Sequence, residues 1–232
     1  ITYRSSDDSI ASVDPSTGLV TAKRVGTVEI TASAAEGSNV YGGEDFFMLE
    51  VSYTQNNIQA SDVEKSYSKK AQSFNLSVYA NGAPLSFTSN NKKISVDKKG
   101  RVTVAKGYTG KAVITIKSSA TEKYEAASKS ITVSVNPTGT SISSCKNIKG
   151  KKAQISWKKN KLATGYEIQY STDKNFAKGV KKKTVKKASV TKITLTKLKK
   201  KQTYYVRIRT YRKSGGTTYS SWSKAKKVVI KK

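Results

Sequence analysis

An internal repeat is the feature of this sequence that most restricts its fold. Residues 1–51 and 85–135 carry similar residues at matching positions, and a repeat of this length indicates that one folding unit occurs twice. The matched pairs are Tyr3 with Phe87, Ile10 with Ile94, Val13 with Val96, Asp14 with Asp97, Gly18 with Gly100, Val20 with Val102, Ile30 with Ile114, Tyr41 with Tyr124, Phe47 with Ile131, Leu49 with Val133, and Val51 with Val135. A fold that fits one copy must therefore fit the other.

The residues within each copy are typical of β-strands. Val and Ile recur in short alternating runs separated by Gly, Asp and Ser, and stretches of helical period are absent. With 232 residues, of which 36% are hydrophobic, the chain can build up to three packed cores. We therefore predict an all-β chain.

The two copies differ in what precedes them. In front of the second copy, residues 58–84 supply two further strands, because Phe74, Leu76 and Val78 alternate and Asn81-Gly82 is typical of a hairpin turn. The first copy has no counterpart for these strands in the sequence. We expect residues 1–52 to be the C-terminal part of a module whose first two strands are absent.

A sandwich without two of its strands leaves part of its core uncovered. The residues that we expect on this face are Val13, Val20, Ile30 and Leu49. Two explanations stay open. The strands were trimmed from a longer protein, which we favour, or another chain supplies them by strand exchange or strand addition. We expect a monomer unless the second explanation holds.

The charge is distributed very unevenly along the chain. The formal net charge is +29. Residues 1–52 carry 3 basic and 8 acidic side chains, residues 53–136 carry 13 and 5, and residues 137–232 carry 28 and 2. Shifts this steep indicate module boundaries. We therefore predict three modules, at 1–52, 53–136 and 137–232, joined by short linkers near residues 53–57 and at Asn136-Pro137.

The first copy carries a specific family resemblance. The segment SSDDSIASVDPSTGLVTAKRVGTVEITA resembles the bacterial Ig-like group 2 domain, with its Ile-Ala-x-Val-Asp strand followed by Gly-x-Val-Thr and Gly-Thr-x-x-Ile-Thr-Ala. In that pattern Gly18 and Gly26 turn the chain, and Val13 and Val20 face the core. The second copy resembles the same superfamily with a weaker signature, since it lacks the Ala after Ile94 and has a longer turn.

The last module, residues 137–232, resembles a fibronectin type III domain. Trp157 stands where that family places its core tryptophan, and LKKKQTYYVRIRTY matches its Leu, spacer, Tyr-x-Val-x-Val pattern. The resemblance implies that the Tyr204 hydroxyl bonds to nearby backbone and that Val206 and Ile208 face the core. We also expect Gly215-Gly216 to form the last hairpin turn.

Residues suited to catalysis are scarce. The sequence has no His, and its single cysteine, Cys145, lies in a strand-like run where a small buried hydrophobe is a simpler interpretation than a nucleophile. After residue 136 the acidic residues are Glu167 and Asp173 alone, too few for a two-carboxylate glycosidase site in the last module. We predict that these modules are non-catalytic and bind no cofactor or metal, while a catalytic domain upstream in the parent protein stays open.

Two further groups of residues have a functional and a structural interpretation. The acid pairs Asp7-Asp8 and Glu44-Asp45 could bind calcium, but we favour turn-forming acids on solvated loops. Trp222 could offer a stacking face to a sugar. We favour a cation-π stack in which Arg207 or Arg209 covers that face from a neighbouring strand.

The main candidate binding residues are lysines in the runs VKKKTVKK and LKKKQ. They are Lys181, Lys182, Lys183, Lys186, Lys187, Lys199, Lys200 and Lys201. Their field attracts polyanions, but 25 Lys against 3 Arg in this module argue against specific nucleic-acid recognition. Two interpretations stay open: adhesion to an anionic cell-wall polymer or glycan, such as teichoic acid, or lysines that keep exposed strands soluble.

Together with the resemblances, these features predict tandem Ig-like β-sandwiches arranged as an elongated rod, which serves as a spacer or stalk. Similar strings of modules that end in a Lys-rich type III domain are found in secreted and surface proteins of Gram-positive anaerobes, so the resemblance implies an extracellular setting. No apolar run in the sequence approaches the roughly 18 residues of a membrane span. Two alternatives stay open: an adhesin that binds a host protein or glycan, and accessory modules of a secreted polysaccharide-degrading enzyme.

Overall fold

The computed structural model describes residues 1–81 and 84–231. Strands joined by turns make up these ranges, which confirms the predicted all-β fold. No helix in the described ranges has the length and hydrophobicity needed to cross a bilayer. The chain forms two compact units. Unit 1 comprises residues 1–60, 77–86 and 116–129, and unit 2 comprises residues 61–76, 87–115 and 130–232.

The strands follow one another along the chain with short turns between them. They are β1 (Thr2–Ser5), β2 (Ala11–Val13), β3 (Val20–Ala22), β4 (Gly26–Ala34), β5 (Gly43–Val51), β6 (Gln59–Ala60), β7 (Val63–Ser66), β8 (Gln72–Asn75), β9 (Val78–Tyr79), β10 (Leu85–Ser89), β11 (Ile94–Val96), β12 (Arg101–Val104), β13 (Gly110–Ser118), β14 (Ala127–Asn136), β15 (Ile142–Ile148), β16 (Lys152–Trp157), β17 (Gly165–Ser171), β18 (Lys181–Val185), β19 (Lys192–Leu195), β20 (Thr203–Lys213), β21 (Thr217–Tyr219) and β22 (Lys226–Val229).

Unit 1 contains an antiparallel sheet in the order β1-β4-β5, the hairpin β2–β3 and the pair β6–β9. Its small core consists of Ala11, Val28 and Ile30, with Val13 and Val20 packed against it. These residues lie at alternate positions of their strands, which is why a strand of period two buries them together.

The turn after β2 recurs after β11 in nearly the same conformation. Gly18 and Gly100 adopt φ angles of 75° and 77°, which disfavour any residue with a side chain. A Cβ atom would lie 3.0 Å from the Tyr3 ring at Gly18 and 3.1 Å from the Phe87 ring at Gly100. The aromatic residue that matches in the two copies therefore packs on the matching glycine, as expected for one repeated unit.

The aspartate of each repeat organises the same turn. The Asp14 carboxylate accepts backbone N–H groups of Ser16 and Thr17 at 3.0 and 2.7 Å. Asp97 accepts those of Lys99 and Arg101 at 2.8 and 2.9 Å. These backbone hydrogen bonds, from Thr17 and from Arg101 first, lower the pKa of both carboxyl groups.

The two copies differ at the sheet edge, as the sequence predicts. In unit 2, β14 pairs in parallel with β7 and β12 pairs with β8. In unit 1 the equivalent strands β5 and β3 have no such neighbours among the described residues. The side chain of Phe47 is 53% exposed, whereas its counterpart Ile131 is 3% exposed. Ile30 was expected on the open face but is buried, because the β2–β3 hairpin packs against it.

The segment before the second copy is more divided than predicted. Residues 58–81 form four short strands, β6 to β9, in place of two. The predicted strand through Phe74, Leu76 and Val78 is broken at Leu76, whose N–H bonds to the Gly100 carbonyl outside the regular ladder. The chain then takes a new partner, because β8 pairs with β12 and β9 with β6. The predicted Asn81-Gly82 turn extends beyond the described residues at Gly82.

The C-terminal part of unit 2 is a two-sheet sandwich. One sheet has the order β15-β16-β19, and the other has the order β18-β17-β20-β21, with β22 also paired to β20. Trp157 packs edge-on against Tyr166 with ring centroids 5.2 Å apart, and both side chains are buried. Val206 and Ile208 are 0% exposed, which confirms their predicted core positions.

Candidate functional site

The eight predicted lysines are all exposed, but they belong to separate elements. Lys181, Lys182 and Lys183 lie on the edge strand β18, and the next pair, 186–187, follows directly after it. The run 199–201 forms the turn between β19 and β20. These elements belong to different parts of the sandwich, so proximity in sequence does not settle proximity in space.

The strand register separates the lysines into two groups. Tyr170 faces both Lys181 and Val206, whereas Tyr166 faces Val185 and Thr210. Val185, at the end of β18, is therefore level with Thr210 across the intervening strand β17, and Thr210 is seven residues along β20 from its first residue. At roughly 3.3 Å per residue this is about 23 Å. The pair 186–187 thus lies far from the run 199–201. A common binding role for all eight lysines stays a prediction.

The run 199–201 lies beside a lysine turn that the sequence analysis did not single out. That turn, residues 149–152 with Lys152 as the first residue of β16, joins β15 to β16. The N–H of Leu198 donates to the carbonyl of Lys151 at 3.1 Å. Between the two turns lies an open groove of about 720 Å³. It is lined by Gly150, Lys151, Lys152, Thr196, Lys197, Leu198, Lys199 and Lys200. The sequence signal was the string KGKK, in which a glycine marks a turn between lysines.

The backbone at this end of the sandwich is held in an unusual conformation. Lys151, Lys197 and Lys201 have φ angles of 58°, 55° and 60°, in the left-handed region. Residues other than Gly, Asn and Asp rarely adopt it. The turn is also fixed by the Tyr204 hydroxyl, which accepts the N–H of Lys199 at 3.1 Å. This bond confirms the role that the sequence predicted for Tyr204.

The two acidic residues of the last module are occupied away from the groove. Glu167 is buried and accepts two hydrogen bonds from Arg209, at 2.7 and 3.0 Å, with Lys182 at 3.5 Å. Asp173 accepts N–H groups within its own turn, and the bond from Asn175 is the main reason that its pKa lies below the ordinary value. In the described part of the chain, no ion pair includes a lysine of the groove.

Trp222 lies in a stack of alternating rings and guanidinium groups, as predicted. Arg207 lies 4.1 Å from the Phe176 ring and 4.7 Å from the Trp222 ring. Arg209 lies 4.4 Å from the Trp222 ring and 4.0 Å from the Tyr219 ring. Both arginines alternate with core residues on β20, so they reach the same outer face. The indole is already engaged by two cations, which argues against a sugar-stacking role.

Hydroxyl groups fix the segment that carries Trp222 onto β20. The backbone N–H of Ile208 donates to Ser223 Oγ at 3.1 Å, and that of Thr210 donates to Ser220 Oγ at 3.0 Å. The N–H groups of the two serines bond in return to the carbonyls of the same two residues. These reciprocal bonds place the indole over the arginines although the segment between β21 and β22 is not a strand.

Cys145 lies on β15 opposite Ile155, partly buried against the core of the sandwich. Burial raises the pKa of its thiol to about 11. A thiol with this pKa is almost entirely protonated at neutral pH, and the thiolate is the nucleophilic form. The environment of Cys145 therefore suits packing rather than covalent chemistry.

The acid pairs of unit 1 bond to their own turns and strands. Asp7 accepts the N–H and the hydroxyl of Ser9 at 2.8 and 2.6 Å, and the hydroxyl bond is the main cause of its lowered pKa. Glu44 accepts the hydroxyl of Ser33 at 2.7 Å. No group of three or more His, Cys, Asp or Glu side chains in the described ranges is arranged to hold a metal ion.

Within unit 2, the hairpin turn between β20 and β21 is bonded to the turn before β13. The N–H of Lys111 donates to the Ser214 carbonyl at 2.9 Å, and the Tyr108 and Ser214 hydroxyls are 3.1 Å apart. Asn91 donates to the Tyr108 hydroxyl and to the Lys111 carbonyl at 2.7 and 2.8 Å. The last module is thus joined to the second repeat by hydrogen bonds as well as by the chain itself. We call this contact the joint.

The joint requires glycine on both sides. A Cβ atom on Gly110 would lie 2.5 Å from the Ser214 carbonyl oxygen, and one on Gly215 would collide with the Lys111 carbonyl. Gly110 has a φ angle of 147° and Gly215 of 62°, which also disfavour side chains. Gly215 and Gly216 were predicted as turn residues from the sequence, and they do form that turn. Their second task, allowing close approach of another backbone, was not predicted.

The fold and these surfaces define an all-β protein of Ig-like and type III sandwiches, with a lysine-lined groove at one end of the last sandwich. Residues 1–42 match the bacterial Ig-like domain (group 2) family, and residues 135–226 match the fibronectin type III domain family. These two matches confirm the resemblances predicted for residues 1–52, as part of a domain, and for the last module, while the Ig-like assignment of residues 53–136 stays a prediction. Such domains are typical of extracellular multidomain proteins.

Three solved structures that match the chain share little sequence with it. One is the crystal structure of chicken CNTN1 FN1-FN3 domains, with 14% identity, coverage of 100% of this chain and 91% of that chain, and a TM-score of 0.38. The crystal structure of titin domains A168-A170 has 13% identity, coverage of 99% and 88%, and a TM-score of 0.31. A structure described as "Myokine structure" has 13% identity, coverage of 42% and 99%, and a TM-score of 0.34. No curated protein matches the chain.

Proposed function

We propose that this chain is a non-catalytic spacer of a larger secreted or cell-surface bacterial protein. Its domain families are typical of extracellular multidomain proteins. The observation that carries the proposal is the joint, in which two turns of unit 2 bond to each other through Lys111, Tyr108 and Ser214. A spacer needs modules whose relative orientation is held, because a flexible link would shorten its reach.

Distance measurements between two spin labels test the spacer proposal. In a Cys145→Ser background, labels are placed on Lys98→Cys and Lys192→Cys, two exposed positions on opposite sides of the joint within unit 2. We expect a single narrow distance distribution in double electron–electron resonance. A broad distribution, such as a free linker of a few residues would give, overturns the proposal.

We also propose that the lysine-rich last module adheres to anionic polymers of the bacterial envelope, such as teichoic acid. Support comes from the 28 basic and 2 acidic side chains of residues 137–232 and from the engagement of both acids in local bonds. A field of this sign and strength attracts any flexible polyanion. Solubility of the exposed strands is the competing explanation for the lysines on β18, because charged residues protect an edge strand.

Retention on purified cell walls tests the adhesion proposal. The full chain should bind walls at low ionic strength and be released by salt, since exposed charges are screened within about 8 Å at physiological ionic strength. Extraction of teichoic acid from the walls should abolish binding. Binding that resists high salt, or that is unchanged after extraction, contradicts adhesion through phosphate groups.

A further inference from the structure

We propose that one defined site, the groove between the turns 149–152 and 196–201, binds linear phosphodiester polymers that carry no bases. The proposal rests on the adhesion proposed above and assigns it to one place on the last module. The lysines that we assign to the site are Lys151, Lys152, Lys197, Lys199, Lys200 and Lys201. Half of them lie outside the two runs that stand out in the sequence.

The groove brings five of these lysines together from two sequence segments about 45 residues apart, and Lys201 follows directly after the second segment of the lining. Leu198 forms its apolar floor and is 3% exposed, and its N–H bonds to Lys151 across the groove. The lysine side chains around it are exposed. A concave surface with charges on both walls contacts a chain of phosphates on two sides at once, which a single flat strand cannot do.

The backbone of the groove gives an independent reason to connect these lysines with binding. Three of them, at 151, 197 and 201, adopt left-handed φ angles of 55° to 60°. Glycine or asparagine would occupy such positions with less strain. Turn geometry therefore does not explain lysine here, whereas a role for its charge does. Strain of this kind points toward function when it is observed rather than assumed.

The remaining charges of the module favour this groove over the lysines of β18. Lys182 already lies 3.5 Å from the buried Glu167 carboxylate. Lys186 and Lys187 lie at the opposite end of the sheet, as the pairing of Tyr166 with both Val185 and Thr210 shows. The lysines of the groove have no acidic partner in the described part of the chain. Their full charge is available to a ligand.

The surroundings of the groove argue against nucleic acid. Base recognition uses arginine forks or exposed aromatic rings. Arg207 and Arg209 are both stacked between rings on the outer face of β20. The ring of Tyr204, whose hydroxyl bonds to Lys199, is 8% exposed. A phosphodiester chain with small uncharged units fits a site that offers ammonium groups and little else.

Two full-length variants with equal loss of charge test the site. The groove variant carries Lys151→Gln, Lys197→Gln, Lys199→Gln and Lys200→Gln. The matched control carries Lys181→Gln, Lys183→Gln, Lys186→Gln and Lys187→Gln. The probe is poly(glycerol phosphate), and the dissociation constant is measured by calorimetry at several salt concentrations.

We expect the groove variant to bind at least about tenfold more weakly with a smaller salt dependence, and the control to change by less than about threefold. Equal losses of affinity in both variants would overturn the site, because they would show that the probe responds to the overall positive charge of the module and not to the groove. Absence of binding by the unmodified chain also overturns it. Tighter binding of an oligothymidylate than of poly(glycerol phosphate) overturns the assignment of the ligand and points to nucleic acid.

A second variant separates binding from folding. Lys151→Asn, Lys197→Asn and Lys201→Asn should leave the melting temperature unchanged or slightly higher, because asparagine tolerates the left-handed conformation, while affinity for the probe falls. A lower melting temperature with unchanged affinity contradicts the proposal. If the groove variant is retained on intact walls as well as the unmodified chain is, the groove is not the binding site, although the proposal that the module adheres to walls still holds. If the unmodified chain does not bind walls, both the adhesion proposal and the groove as its binding site are wrong.

Discussion

The main-chain oxygen of Ser214 occupies the space that a Cβ atom on Gly110 would require, at a distance of 2.5 Å. The two residues are 104 positions apart in the sequence. Their close approach allows the N–H of Lys111 to reach the same oxygen at 2.9 Å. The absence of a side chain at one position thus permits the joint between the second repeat and the last module.

Substitution of Gly110→Ala should open the joint. The added methyl group would force the Ser214 carbonyl away and break the bond from Lys111, because backbone atoms cannot yield as a flexible side chain can. We expect a broader distance distribution between the spin labels at positions 98 and 192, with the melting temperature of the last module little changed.

Gly107→Ala is the control for this change. Gly107 also has a left-handed φ angle, 69°, but a Cβ atom there would meet nothing within 4 Å. It introduces backbone strain at a positive φ angle in the same turn, on the order of 1 kcal/mol, without the collision. If Gly107→Ala broadens the distribution as much as Gly110→Ala, strain in the turn and not contact with Ser214 controls the joint.

The open edge of unit 1 predicts different responses at matched positions of the two repeats. Ile131→Ala should destabilise the chain by about 2–5 kcal/mol, because a 3% exposed side chain is replaced by a cavity. Phe47→Ala, at the matching position, should have an effect near zero because Phe47 is 53% exposed. Denaturant unfolding measures both. Equal destabilisation by the two substitutions would show that another segment or a second chain covers Phe47 in solution.

The arginine stack predicts a measurable loss for Trp222→Leu. Two cation-π contacts of about 0.5–1 kcal/mol each are removed, together with part of the apolar contact area. We expect destabilisation of roughly 1–3 kcal/mol in thermal or denaturant unfolding of the last module. Val229→Ala, at a position 51% exposed, is the control and should have little effect. A Trp222 variant as stable as the control would mean that the stack is not a stabilising feature.

The Cys145 thiol should react slowly and with a high pH midpoint. With a pKa of about 11, its thiolate fraction at pH 8 is near one in a thousand, against about a quarter for an unperturbed thiol. The rate of alkylation by iodoacetamide in the folded chain should rise about tenfold per pH unit up to that value. The chain unfolded in urea is the control and should level off near pH 9. A plateau near pH 9 in the folded chain contradicts the burial.

The turn carboxylates predict a loss of stability in acid. The pKa of Asp97 is lower in the folded chain than in an unfolded one, so its contribution is complete above the unfolded pKa, near 4, and is lost as pH falls through the folded value. The melting temperature of Asp97→Asn should therefore fall less between pH 7 and pH 3 than that of the unmodified chain. Glu122→Gln, at an exposed acid, is the charge control. Parallel curves for Asp97→Asn and the unmodified chain would contradict this role.

Local pattern was sufficient to predict several tertiary contacts. The repeat predicted that Gly18 and Gly100 serve the same turn, because a left-handed φ angle restricts a position to glycine wherever the fold recurs. The type III resemblance implied Val206 and Ile208 in the core, and alternation then placed Arg207 and Arg209 on the opposite face, since a strand has a period of two. The Tyr204 bond followed from a family motif that spans only a few residues. In each case the interacting groups are fixed by short-range geometry.

The arrangement of the lysines was decided by the tertiary structure. In the sequence, Lys186 and Lys187 are closer to the run 199–201 than the turn 149–152 is. Because β16 pairs with β19, the turn 149–152 and the segment 196–201 lie at the same end of the sandwich. Strand β18 runs toward the opposite end, where residues 186–187 follow it. Antiparallel strands bring together turns that are distant in sequence and separate residues that are near in it. Sequence therefore established which side chains carry charge and most of the strands, whereas the pairing of the strands decided where the segment before the second copy divides and which charges share a surface.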